Sequence, residues 1–189
     1  MFRSADIRSF LSGSALSEPA KFAVLLLAVH LFWKYTFSDG PAGMVFFFNT
    51  DVTFLFAPLT KHLTRVVGWL LQHSACPVVV NGSRLVSLAD METIRVVWSC
   101  TGVKQMLMMT LILSAAAGPW RHKAWYLPVS LALMSVFNVL RIYLISLLTF
   151  RGLLAFEWAH TGGKYVYYAF IFLLWWLWQE KIVTHESDC

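Results

Sequence analysis

Four polar side chains stand at or near the ends of apolar runs: Cys100, Asn138, Arg141 and His160. A thiolate is the strongest nucleophile a set of this kind can offer. At a helix N-terminus the anion is favoured by the macrodipole, and a neighbouring cation favours it further. An arginine keeps its charge at any accessible pH, so Arg141 suits the stabilisation of an anionic intermediate. A histidine titrates near neutral pH and can hand a proton to a leaving amine, which is the role open to His160. Nucleophile, electrophilic stabiliser and general acid/base together suffice for acyl transfer through a thioester.

Such a set works only if the chain brings it to one place, and composition decides the medium. With 58% hydrophobic residues, nine Trp and fifteen Phe in 189 positions and a mean hydropathy of +0.63, the chain is too apolar to fold in water as one domain. It reads as an all-α polytopic membrane protein, a single membrane-embedded domain over residues 1–189. A hydrocarbon core about 30 Å thick needs roughly 20 apolar residues per spanning helix. Lys21–Phe37, Thr101–Gly118 and Thr161–Lys181 qualify. Ala124–Phe150 is longer, about 40 Å as a helix, and should cross and then bend or project, with the bend near Asn138–Arg141.

Four spans put both termini on one side. Arg3, Arg8 and Lys21 before the first span, Arg121 and Lys123 after the second and Lys181 after the fourth then share that side, which basic residues in short flanks and loops mark as cytoplasmic. Lys61, Arg65, Arg84 and Arg95 lie in the long outer segment and Arg151 in a shorter one. Residues 1–19 form a cytoplasmic tail and 38–99 an extracytoplasmic or interfacial segment. In the same arrangement Cys100 opens the second helix from outside, Arg141 lies about 26 Å up a helix that began inside, and His160 opens the fourth helix from outside. All three reach the outer leaflet of the cell membrane. No cleavable signal-peptide layout precedes the first run, which should remain as an anchor.

The outer segment divides further. Leu59, Leu63, Val66, Val67, Leu70 and Leu71 recur at helical spacing among Lys61, His62, Arg65 and Gln72, a pattern for an amphipathic helix over Phe54–Gln72 lying in the interface. Asn81-Gly82 between two β-prone runs signals a hairpin over Val78–Val86, and Ile94–Trp98 reads as a third short strand leading to Cys100. Met1–Pro19 and Thr184–Cys189 read as loose tails.

Three strings carry a resemblance: Trp98-Ser99-Cys100-Thr101-Gly102-Val103-Lys104, then Asn138-Val139-Leu140-Arg141-Ile142, then His160-Thr161-Gly162-Gly163. Their order and spacing resemble the signature blocks of the exosortase/archaeosortase family. The resemblance implies a membrane-embedded cysteine protease or transpeptidase. Such an enzyme cuts C-terminal sorting signals, a short motif followed by a transmembrane helix and a basic tail, at the outer face. It implies Cys100 as nucleophile, Arg141 as transition-state stabiliser and His160 as general acid/base, with Asn138 and Gly102 in support. Lys104 departs from the pattern, because the family often has Arg four residues after the Cys; an ammonium lacks the planar fork of a guanidinium.

Taken singly, each residue has an ordinary reading. A cysteine at a helix end usually packs or pairs, an arginine there usually snorkels, and His30, His62, His73 and His122 read as structural or interfacial. Glu157 stands three residues before His160, where it could orient the imidazole or simply face solvent. Tyr165, Tyr167 and Tyr168 with Trp175, Trp176 and Trp178 read as aromatic belts. The acidic residues are too scattered for a metal site and no phosphate loop or zinc pattern occurs, so no cofactor is expected. The net charge of +5, without a long basic run, fits anionic lipid rather than nucleic acid. The expected partners are the bilayer and the sorting-signal substrates, with oligomeric state left open. Two other classes compete, a non-catalytic assembly factor for an export or exopolysaccharide system and a small transporter subunit. A transporter would carry its ionisable groups at mid-bilayer, whereas here they gather at one face.

Overall fold

The computed structural model describes residues 17–74 and 76–183. Most of the expected tails, with Arg3 and Arg8, lie outside these residues. Five α-helices carry the described chain: α1 (Glu18–Thr36), α2 (Thr53–His73), α3 (Val103–Ala115), α4 (Trp120–Phe150) and α5 (Phe156–Trp178). Between α1 and α2 runs an antiparallel sheet of β1 (Phe37–Asp39), β2 (Val45–Phe47) and β3 (Thr50–Asp51). Between α2 and α3 runs a second, of β4 (Val78–Asn81), β5 (Arg84–Ser87) and β6 (Thr93–Arg95).

Helices α1, α3, α4 and α5 bundle around Met108, Met109, Ile112, Met134, Tyr167, Ile171 and Trp178, all essentially buried. Of the described helices, only α4 is both long and apolar enough to cross a bilayer by length and composition, with a mean hydropathy of 2.0 over its best window. Its 31 residues reach about 46 Å at 1.5 Å per residue. The helix is uninterrupted through Asn138–Arg141, so no break occurs there. The span expected over Thr101–Gly118 shortens to 13 helical residues, about 20 Å. Gly102 and Ala116 end the helix on either side. The loop expected after it is shorter too, because Trp120–Lys123 already belong to α4. Lys123 is buried, and its Nζ donates to Ala116 O and to Ser114 O. It therefore caps the C-terminus of α3, where the carbonyls have no helical partners.

Helix α2 matches the expected amphipathic segment to within a residue at each end. Its buried stripe of Leu63, Val67 and Leu71 packs on Val78, Leu85, Ile94 and Val96 of the second sheet and its margin, and on Ile142 and Phe150 of α4. Gly68 permits this approach, since a Cβ there would overlap the Val80 side chain. The hairpin is present with its loop one residue later than expected. Asn81 pairs with Arg84, so the two loop residues are Gly82 and Ser83, with Gly82 at φ +62°, where a II′ turn takes its glycine. The third strand ends at Arg95, and Trp98–Cys100 forms a short 3-10 turn instead.

The first sheet was not expected from the sequence. Phe48 and Asn49 both take positive φ between the paired Phe47 and Thr50, as a two-residue I′ loop requires. Phe37 of the sheet joins Trp33 of α1, Phe56 of α2 and Trp98 in an aromatic cluster, with Trp33 and Trp98 stacked at 6.0 Å. The Trp98 indole donates to the Asp39 carboxylate. Each aromatic contact is worth about 0.5–1.5 kcal/mol beyond burial, and together they anchor the turn that carries Cys100.

Candidate active site

The turn before α3 fixes the thiol. Cys100 N donates to Val97 O at 2.9 Å, Thr101 Oγ1 donates to Trp98 O at 2.7 Å, and the chain then passes into α3 through Gly102 at φ +80°. A Cβ at Gly102 would stand 3.1 Å from the Tyr167 hydroxyl and 3.2 Å from the Asn138 amide. Glycine is required there twice over, for the left-handed backbone and for the close approach. Cys100 thus lies just before the helix, not on its first turn. It is a partly buried free thiol.

Asn138 and Arg141 stand one turn apart on α4, on one face, and both are buried. Asn138 Nδ2 donates to Cys100 O at 2.8 Å, which ties the nucleophile's backbone to the helix that carries the arginine. Arg141 lies over the Tyr167 ring, with Cζ 5.4 Å from the centroid, within cation–π range. Tyr167 is fully buried and its hydroxyl donates to Met134 O at 3.2 Å. Gly163 faces the Arg141 stem, whose Cγ would be 3.4 Å from an added Cβ. Arg141 Nε and Asn138 Oδ1 are buried without a hydrogen-bond partner among the described residues, and an unpaired buried polar atom costs about 1–3 kcal/mol. Polar valence is therefore left open beside the thiol.

Helix α5 begins at Phe156, so His160 sits in its second turn and does not open it. Its ring stacks on Phe156 at 5.4 Å and 18°. Glu157 is exposed in the first turn and makes no hydrogen bond to His160. Cys100, Arg141 and His160 line one small cleft with Ile94, Ile142, Ile145 and Phe156. Arg141 and His160 also line a larger one, about 590 Å³, between α1, α3 and α5.

That larger cleft holds residues the sequence reading did not assign to the site. His30 from α1 accepts from Lys104 Nζ at 3.0 Å through Nδ1, and Lys34, Lys164 and Tyr168 line the same space. The available signal was the spacing of His160, Lys164 and Tyr168, which places all three on one face of α5. Cys76 lies apart, buried under α2, where desolvation pushes its thiol above the ordinary range and keeps it neutral. Among the described residues no group of His, Cys, Asp and Glu could hold a metal ion.

A family model described as transmembrane exosortase matches residues 3–177. No curated protein and no solved structure matches the chain.

Proposed function

From its membership of the transmembrane exosortase family, we propose that this membrane protein is a cysteine protease or transpeptidase that cleaves C-terminal sorting signals at the extracytoplasmic face of the cell membrane. The observation that carries the reading is the convergence of Cys100, Arg141 and His160 from three separate segments on one cleft. In this reading α1, α3, α4 and α5 are four spans, α3 being completed by the turn before it and Ala116–Pro119 after it. The basic residues near Ala116–Lys123 then mark the cytoplasmic end.

Cys100 Sγ attacks the scissile carbonyl while its proton passes to His160. The Arg141 guanidinium stabilises the oxyanion that forms, because charge developing in a water-poor site is where a fixed donor acts most strongly. Collapse of the tetrahedral intermediate breaks the C–N bond, and His160 returns the proton to the leaving amine. The thioester left on Cys100 is resolved by water or by another nucleophile. Asn138 and Gly102 act through position, the first by holding the Cys100 carbonyl and the second by letting the turn sit against Asn138 and Tyr167. Lys104 acts at a distance, in the larger cleft.

The test is C-terminal trimming of a tagged, co-expressed substrate that ends in motif, apolar helix and basic tail. Cys100→Ala should insert at wild-type abundance and leave the substrate uncut. Trimming at the wild-type rate in that variant would remove the thioester mechanism.

A further inference from the structure

The cleft between α1, α3 and α5 carries more positive charge than acyl transfer requires. Beside Arg141 and His160 it is lined by Lys34 from α1, Lys104 from α3 and Lys164 from α5, and no carboxylate among the described residues lines it. Lys34 and Lys164 are exposed, and Lys104 is partly buried. Lys104 donates to the neutral nitrogen of His30, a contact that leaves its charge uncompensated. With Nδ1 accepting, the His30 ring proton sits on Nε2 as a further donor. Like charges held around one space repel unless an anion joins them.

The walls show how that anion would enter. Helices α1 and α5 run antiparallel and meet through Phe22, which packs on Phe172 and Trp175 at 5.6 and 4.7 Å. About two turns further along α1, the Tyr168 hydroxyl is 3.4 Å from His30 Nδ1. Beyond that level the helices face each other across the cleft, flanked by Trp33, Phe37 and the exposed Tyr165. Aromatic side chains with lysines at their edge suit the level of lipid headgroups.

The geometry points to a phosphate-binding subsite in this cleft, held by Lys34, Lys104, Lys164 and His30 and open to the headgroup of an anionic lipid. A single carboxylate would neutralise one of three lysines, whereas a phosphate presents several acceptor oxygens to several point-charge donors at once. The subsite goes beyond the proposed cleavage and does not depend on Cys100 being a nucleophile.

The experiment uses the full chain in neutral detergent and native mass spectrometry. Dioctanoyl phosphatidylglycerol, dioctanoyl phosphatidylcholine and inorganic phosphate are the probes, and none of the measurements reads cleavage. Phosphatidylglycerol should bind saturably and on the order of tenfold more tightly than phosphatidylcholine. Lys34→Gln/Lys164→Gln should weaken it by about tenfold or more, given the contribution of each lysine near a charged headgroup. Arg121→Gln/Lys181→Gln, at the other end of the bundle, should leave it unchanged. Displacement by millimolar inorganic phosphate would support the same subsite with a soluble source. Both exchanged lysines are exposed, and each single variant carries the test should the pair fail to fold. Equal retention of the two lipids, or phosphatidylglycerol binding by the Lys34/Lys164 variants at wild-type affinity, overturns the proposal.

Discussion

The two ends of the helical bundle treat their polar groups in opposite ways. At the end where α3 hands over to α4, Lys123 caps α3, Trp178 Nε1 donates to Ala117 O at 2.9 Å, and Tyr126 donates to Leu174 O at 2.7 Å. Glu18 there pairs with Lys21 at 2.9 Å and accepts from Gln179 Nε2 at 3.2 Å. At the other end, among the described residues, Arg141 Nε and Asn138 Oδ1 stay buried and unpartnered, and three lysines face a cleft without a carboxylate. One end uses polar groups to close helix termini; the other leaves them without partners among the described residues. Changes at the closed end should therefore act on stability, and changes at the open end on rate.

Arg141→Lys should have the largest effect of the substitutions that keep the protein folded. It preserves charge but loses the planar pair of donors and the fit over Tyr167. Loss of one oxyanion donor typically costs about 10²–10³ in rate, read as single-turnover processing in matched membranes. A rate within about threefold of wild type, well short of that loss, would make Arg141 a snorkelling anchor and dissolve the contrast between the ends.

Gly102→Ala joins the two effects. The left-handed backbone costs a non-glycine residue on the order of 1–3 kcal/mol, and the new Cβ pushes against Asn138 and Tyr167. A displacement of about 1 Å at the nucleophile can cost roughly 10²-fold. Both abundance and rate per folded molecule should fall, and unchanged kinetics would separate Cys100 from its turn.

Much of this was legible in the sequence. Apolar runs revealed the bundle helices because burial in lipid or core leaves composition as the dominant signal, and the three polar strings stood out against it. Their meeting was legible because antiparallel helices return to the same end. The first sheet was not, since three strands of two or three residues leave no alternation to read, and the Phe48-Asn49 loop was its one cue. The exact start of α5 was hidden because Glu157 and His160 interrupt the apolar run in its first two turns. His30 and Lys34 stand one turn apart on α1, and Lys164 one turn past His160 on α5, and they were unread because only packing brings the two helices to one cleft.

Lys123→Ala should act on the closed end alone. It leaves C-terminal carbonyls of α3 unpaired at about 1–3 kcal/mol, lowering the thermal midpoint while the rate per folded molecule stays near wild type. An equal loss of rate would mean that the two ends are coupled. The smallest change is a labelling contrast between Cys100 and Cys76, the free thiols among the described residues. A membrane-impermeant maleimide at neutral pH should label Cys100 without reductant and reach buried Cys76 only on unfolding. Labelling of Cys100 only after reduction would assign it a structural disulfide.

The most direct measurement is an acid-quenched single turnover of the wild-type protein with a sorting-signal substrate, followed by peptide mass analysis around Trp98–Lys104. A hydroxylamine-sensitive mass increment equal to the trimmed substrate less one water should appear on Cys100 before product does and be absent from Cys100→Ala. Product formed by wild type with no adduct on Cys100 at any time, or formed equally by Cys100→Ala, would contradict the account.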